Sequence, residues 1–368
     1  QYSEFFTAGT VSFSNLAYYF DVIFCLGALL AMLTARSYLQ AEDLETTEFY
    51  NLILYALSGM MMIAHAGHLL TLFIGIEIMS ITFYIMAGYF RFNIRSVEAA
   101  VKYFLLGSFA SGFLLYGMSM LYGSTGTMSM NLITMSIVSG NAEPFYMTIG
   151  LGLLLVGLSF KIAAFPFHQW APDVYTGSPT VVTTFMSTAG KAAALIAFII
   201  IGRHFFFVNS NPEMAYFNST LQLLVAIISA GTMLVGNITA LVQTDIKRML
   251  AYSSVAHAGY MLMGIVSGTN PNGTEGMIYY ITAYLFMQVG AFAIVSYFEK
   301  NKENNLQISD YAGLYHTNPT MAAMMAIFML ALAGIPFFAG FYGKYLLFTG
   351  AVQSGFTWLA IIAAIASM

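Results

Sequence analysis

Phe160-Lys161-Ile162-Ala163-Ala164-Phe165-Pro166-Phe167-His168-Gln169-Trp170-Ala171-Pro172-Asp173-Val174-Tyr175-Thr176-Gly177-Ser178-Pro179 is the stretch on which the fold turns. An apolar run from Met147 to Phe160 leads into it, carries a lysine and then meets Pro166, so a helix is expected to break beside a charge at membrane depth. A lysine in the middle of a spanning helix costs roughly 3 kcal/mol on insertion scales, and such positions mark function. Irregular backbone at that depth persists only where it is buried in protein or lines a cavity. Beyond the break, Phe165 to Tyr175 predicts a short half-helix or lateral amphipathic segment, with His168 and Asp173 as its caps.

Composition agrees with a chain that lives in a bilayer. With 59% hydrophobic and 8% charged residues and a mean hydropathy of +0.76, it is an all-α polytopic membrane protein and not a soluble globule. A net charge of −4 without a basic tract argues against nucleic acid as a partner. The single Cys25 excludes an intrachain disulfide and an all-protein iron–sulfur site. No dinucleotide-binding glycine fingerprint, P-loop or HExxH occurs. The chain is therefore expected to carry no redox centre, nucleotide or metal of its own. It starts at Gln1 and stops at Met368 inside an apolar run, which suggests a piece whose first and last helices lie outside it.

The spans fall in order between polar loops. Residues 1–17 form a mixed, aromatic interfacial loop, followed by spans at about Tyr18 to Leu33, Phe49 to Leu70, Leu72 to Phe90 and Val97 to Tyr122. A Ser/Thr/Met/Gly segment, 123–143, precedes the run that holds Lys161. Further spans are expected at about Pro179 to Phe207, Thr220 to Val242, Leu250 to Val266, Gly276 to Phe298, Pro319 to Phe348 with an interruption at Gly334-Ile335-Pro336, and Phe356 onward. That makes about eleven helices of bilayer length. Alternation of these spans puts Arg36, Arg91, Arg95, Lys247, Arg248, Lys300 and Lys302 on one side, the cytoplasmic side by the positive-inside rule, and Arg203 on the other. Lys102, Lys161, Lys191 and Lys344 remain inside spans, with Glu77 as their opposite charge.

The chain also resembles itself. Two spans are broken by a proline near a lysine, Lys161 with Pro166 and Pro336 with Lys344. Units of five helices have opposite topologies when consecutive, so the expected organisation is an N-terminal loop and first span over residues 1–48, a first inverted repeat over 49–207 and a second inverted repeat over 218–368. Inverted repeats with broken helices facing a midplane site are a transporter architecture.

Particular motifs carry a further resemblance. They are Gly75-Ile76-Glu77-Ile78, Ser96-Val97-Glu98-Ala99-Ala100-Val101-Lys102-Tyr103, Phe160-Lys161 with Pro166-Phe167-His168, and Pro172 to Pro179. Lys247-Arg248-Met249-Leu250-Ala251-Tyr252-Ser253-Ser254-Val255-Ala256-His257-Ala258-Gly259-Tyr260 and Ala333-Gly334-Ile335-Pro336 with Gly343-Lys344 extend it over nearly the whole chain. Together they resemble the proton-translocating antiporter-like membrane subunits of respiratory complex I, most of all the branch called subunit N of bacterial NADH-quinone oxidoreductase. The resemblance implies a fold of about fourteen helices, so roughly the first two and the last would lie outside this chain. It also implies proton translocation by Glu77 paired with Lys161, by the relay Lys191 and by Lys344 on the second broken helix, with less weight on Lys102 and His257. Burial opposes an ammonium and a nearby carboxylate favours it, so moving the Glu77 partner would load or unload Lys161.

Each candidate has a plainer reading. Lys102 stands four residues after Glu98 and can form a helical salt bridge as readily as a relay. His257 can be a relay or a packed core histidine. His65 and His68, three apart with no third ligand, read as structural, and Asp245, Lys247 and Arg248 as a cytoplasmic loop or helix end. The 25 methionines and the phenylalanine stripes read as packing or lipid-facing surface, and the sequons at Asn218 and Asn272 as chance.

The resemblance implies a non-redox translocase subunit in the bacterial inner membrane rather than the mitochondrial one. Its partners would be the sibling antiporter-like subunits, other complex I membrane subunits, lipids and protons. NADH, FMN, iron–sulfur clusters and quinone would belong to the rest of the complex. The alternative is a subunit of a multi-subunit Na⁺/H⁺ antiporter. A quinone-site subunit and an inert spacer are disfavoured, the first because nothing resembles a quinone cradle, the second because a spacer has no use for four buried lysines.

Overall fold

The structure, a computed structural model, describes residues 9–42, 44, 46–206, 212–268, 270–299 and 306–368, with the side chains of 206 and 212–218 left out. Positions 1–8, Lys300, Lys302 and the rest of 300–305, and the Asn218 side chain fall outside it. The fold is all helical. In order it comprises α1 (Asn15–Ala41), α2 (Thr47–Ala64), α3 (Leu69–Ala87), α4 (Ile94–Thr125), α5 (Met130–Val138), α6 (Pro144–Lys161), α7 (Trp170–Gly177), α8 (Thr180–Phe205), α9 (Pro212–Leu241), α10 (Ile246–Val266), α11 (Pro271–Phe298), α12 (Pro319–Ala333), α13 (Ala339–Gln353) and α14 (Thr357–Ser367). Among the described residues, eight are long and apolar enough to cross a membrane, and α12 and α14 are shorter apolar helices.

Helix starts follow local chemistry. Ser14, Asn93, Glu143 and Asp245 each accept a backbone N–H from the first turn of α1, α4, α6 and α10, and Pro144 and Pro271 occupy first positions where no N–H is needed. Segment 123–143, read from the sequence only as a Ser/Thr/Met/Gly connection, contains α5, a nine-residue apolar helix too short to span. Helices α4 and α6 pack at reciprocal small residues: a Cβ on Gly117 would stand 2.8 Å from the Gly150 carbonyl oxygen, and one on Gly150 would stand 2.9 Å from that of Gly117. Such contacts replace the hydrophobic drive that lipid cannot supply.

Helix α8 runs through the middle, apolar and almost wholly buried, and touches α1, α2, α3 and α11. A π-helical turn at Met186–Gly190 interrupts it just before Lys191. Arg91, Arg95, Lys247 and Arg248 gather at one end of the bundle. There Gly177 lies against the Arg95 backbone, Tyr38 stacks on Phe90 at 6.1 Å, and Arg248 meets Asp173. Arg203 lies with Thr134 of α5 and its neighbour His204 at the opposite end. Arg91, Arg95, Lys247 and Arg248 are thus grouped at one end, as span alternation expects.

Candidate functional site

Both broken helices end in the same way. Helix α6 stops at Lys161, five residues before Pro166. Ala163 turns left-handed at φ 58° and donates to the Phe160 carbonyl, while Ala164 N–H reaches Ser159 O at 2.8 Å. This is a Schellman closure with alanine where glycine is usual. Trp170 Nε1 donates to the same Phe160 carbonyl at 3.0 Å and stacks on Tyr103 at 4.5 Å, which ties α7 back to the end of α6. At the second break Gly334, at φ 82°, donates to Ala331 O, and Ile335 N–H reaches Leu330 O, each at 3.1 Å. The closures coincide although lysine precedes the proline in one and follows it in the other.

That symmetry explains the lysines. Lys161 occupies the last turn of α6, and Lys344 folds back from α13 so that Nζ donates to the Ala333 carbonyl at 2.9 Å, at the end of α12. Lys161 thus sits in the last turn of one broken helix, and the Lys344 ammonium lies at the C-terminus of the other, where unpaired carbonyls carry partial negative charge. Lys344 also sits 4.7 Å over the face of Tyr260.

Around Lys161 three helices converge. Nζ donates to Ser80 Oγ of α3 at 2.8 Å and to Ser111 Oγ of α4 at 3.4 Å, and lies 3.9 Å from Glu77 Oε1. The Ser111 hydroxyl donates to Glu77 Oε1, so serine bridges the carboxylate and the amine. Side-chain exposures of 4% for Lys161 and 26% for Glu77 make this a buried amine beside a partly accessible acid. Lys191 is buried in α8 and donates to the carbonyl oxygen of Ser254 in α10 at 2.6 Å as well as to its hydroxyl. His257, on the same helix, pairs through Nδ1 with Tyr280 OH at 2.7 Å and faces Tyr284 at 5.1 Å. It stands between Ser254, which holds Lys191, and Tyr260, under Lys344, three residues from each along α10.

Among the described residues no carboxylate pairs with Lys191 or Lys344. Each can take or give a proton without breaking an ion pair. Lys191, His257 and Lys344 lie along one buried axis on α10, at Ser254, His257 and Tyr260, and Glu77 and Lys161 meet at the first break. No group of three or more metal-ligating side chains occurs among the described residues.

Lys102 is 43% exposed and paired with Asp173 at 3.0 Å and with Glu98 at 2.7 Å, the second being the helical salt bridge of its plainer reading. Neither His168 nor Asp173 caps α7, because the chain is already coiled at Gln169 and the cap is that residue. Asp173 sits in the first turn and joins α4 to α10 through Lys102 and through Arg248 Nη1 at 2.7 Å. Burial opposes its charge, but Arg248 and Lys102 outweigh that and hold its carboxyl below the usual carboxylate range. His65 and His68 take separate structural roles, in line with their structural reading. His65 Nε2 meets Asp21 at 2.8 Å, and the His68 side chain accepts from Leu70 N–H to cap α3. Lys247 opens α10 as expected of a helix end but is buried against Glu299.

Sequence reasoning missed Asp21 and Glu299. Both stand near the ends of apolar runs, where a carboxylate reads as solvated, and only their basic partners in other helices reveal them.

The fold and this axis define an all-α polytopic membrane protein of antiporter-like architecture. The family described as NADH:quinone oxidoreductase/Mrp antiporter, TM matches residues 66–368. NADH-quinone oxidoreductase subunit N of Trichlorobacter lovleyi is 48% identical over 354 residues, 96% of this chain and 71% of that protein. A chain in the structure of respiratory complex I from Thermus thermophilus with bound aureothin superposes with a TM-score of 0.78 at 35% identity, over 100% of this chain and 78% of its own length. A chain of the Mrp complex from Dietzia sp. shares the fold, with a TM-score of 0.82 at 23% identity over 95% of this chain and 63% of its own. The chain belongs to the NADH:quinone oxidoreductase/Mrp antiporter transmembrane family.

Proposed function

We propose that this chain is a proton-translocating membrane subunit of an NADH:quinone oxidoreductase of the complex I type, working in the bacterial inner membrane beside sibling antiporter-like subunits. The observation that carries the reading is the Glu77–Ser111–Lys161 contact at the first break, and the buried Lys191, His257 and Lys344 along α10 to the second break support it. Units 49–207 and 218–368 act as inverted repeats, each contributing one helix-end lysine. Redox chemistry belongs to other subunits, which hold NADH, FMN, iron–sulfur clusters and quinone.

A change of charge in a neighbouring subunit shifts the balance between Glu77 and Lys161. Lys161 then loads or releases a proton, and transfer continues through Lys191 towards Lys344. The test is a native gel of mildly solubilised membranes, probed with an antibody to this chain and stained for NADH dehydrogenase activity. Antibody and activity are expected in one very large band. A smaller, inactive band whose vesicles exchange Na⁺ for H⁺ would instead give the Na⁺/H⁺ antiporter reading.

A further inference from the structure

Lys247 and Glu299 are buried charges that the lysine axis does not use. Their side chains are 1% and 3% exposed, with Nζ and Oε1 3.5 Å apart. Lys247 also donates to the Ser178 carbonyl at 2.9 Å, while Glu299 Oε2 is buried without a hydrogen-bond partner. A buried ion pair is a poor way to stabilise a fold, because desolvation costs about as much as the attraction returns. Position is more informative. Glu299 closes α11 at the basic end and lines two cavities. One, of about 720 Å³, lies between α1, α11 and α12 and is also lined by Tyr38 and Glu42. The other, of about 10 Å³, is bounded by Tyr38, Asn93, Ser178 and Lys247, which is room for about one water.

Polar groups lead inward from this pair on three helices. Helix α8 presents Thr180, Thr184, Ser187 and Lys191 at successive intervals of four, three and four residues, one face of a helix. Helix α10 presents Lys247 and, two turns on, Ser254, the hydrogen-bond partner of Lys191. Helix α11, packed along the first half of α8, presents Glu299 and, three turns inward, Gln288. All are buried. Thr180 Oγ1 and Gln288 Oε1 share with Glu299 Oε2 the property of having no hydrogen-bond partner. Orphaned polar atoms are rare in native interiors and are commonly served by water. Glu299 and two of them on the way to Lys191, Thr180 and Gln288, mark a path that water can wet. The helix rise makes it roughly 16 Å long from Thr180 to Lys191.

We propose that Glu299, held by Lys247, is the port through which protons from the basic end reach Lys191; the proposal rests on the proton-translocating reading above. A proton from water in the cavity adds to the Glu299 carboxylate and loosens its pairing with Lys247. It then passes along the hydroxyl and water file to the neutral Lys191 amine, which becomes an ammonium, and Glu299 returns to the ionised, paired form. One proton is taken up, one is delivered, and no other bond changes.

The test compares NADH-driven proton pumping and the amount of assembled complex in Glu299→Gln, Glu299→Asp, Thr180→Val and Lys191→Met. Glu299→Gln keeps shape and an acceptor for Lys247, so assembly is expected to hold while pumping falls roughly tenfold or more, as for loss of a positioned proton-transfer group. Glu299→Asp is expected to restore most of it. Thr180→Val removes an orphaned hydroxyl at constant shape, so it is expected to assemble normally and pump more slowly, an effect that a merely structural role for the file would not produce. Normal pumping in both Glu299→Gln and Thr180→Val overturns the port. So does a loss in Glu299→Gln and Glu299→Asp alike that tracks lost assembly while Thr180→Val pumps normally. Lys191→Met separates the two claims: if it pumps normally the proton-translocating reading fails, and if it alone is defective only the port fails.

Discussion

Replacing Glu77 tests whether charge, and not merely packing, links the first broken helix to its neighbour. Lys161 Nζ and Glu77 Oε1 are 3.9 Å apart, which at an effective dielectric of about 20 corresponds to about 4 kcal/mol of attraction. Glu77→Gln removes that attraction while keeping the shape and the Ser111 contact. Glu77→Asp keeps the charge but withdraws it by one carbon–carbon bond, about 1.5 Å, which lowers the attraction to about 3 kcal/mol. Ser111→Ala removes one neutral bridging hydrogen bond, about 1 kcal/mol. At about 1.4 kcal/mol per factor of ten, the expected order of lost pumping is Glu77→Gln far above Glu77→Asp, with Ser111→Ala similar to the aspartate. The assay is NADH-driven acidification of inverted vesicles, normalised to assembled complex on a native gel. Normal pumping by Glu77→Gln, or equal damage by Gln and Asp, would refute the electrostatic account.

Lys102→Met should reduce pumping less than about twofold, because its pairs with Glu98 and Asp173 are exposed and such pairs contribute about 0.2–1 kcal/mol each; a loss as deep as that of a Lys191 variant would restore Lys102 to the axis. Asp173 has a folded pKa below its ordinary value, so the stability it adds is present above the usual carboxylate range and is lost as pH falls through the lowered folded value. Thermal unfolding of the solubilised complex should therefore drop on the acid side of pH 4, and the Asp173→Asn variant should show a shallower drop. Gly334→Ala would strain a backbone at φ 82° by about 1–2 kcal/mol and place a Cβ 3.1 Å from Lys344 Nζ, so slower pumping in an assembled complex is the expected result.

The breaks and the buried lysines were legible because a charge in an apolar run has few innocent explanations. Lys161, Lys191, Lys344 and Glu77 stood out for that reason; the three lysines are buried, at Ser80, Ser254 and Ala333, and Glu77 lies 3.9 Å from Lys161. The sequence could not show that Lys344, eight residues beyond Pro336, folds back onto Ala333, because a side chain's path around a turn is set by packing. Asp173 was misread since the rule for caps assumes an extended residue before the helix, and Gln169 is helical. Lys247 and Glu299 were lost for a different reason: charges at the ends of apolar runs look solvated until a neighbouring helix closes over them.

The measurement that bears most directly on the central claim is the number of protons pumped per NADH oxidised in assembled complex carrying Lys161→Ala. Loss of the ammonium removes a group that contacts Ser80, Ser111 and Glu77 together. The expected result is a complex of normal size and abundance whose pumped protons per NADH fall well below those of the unaltered complex. An unaltered ratio would contradict the account.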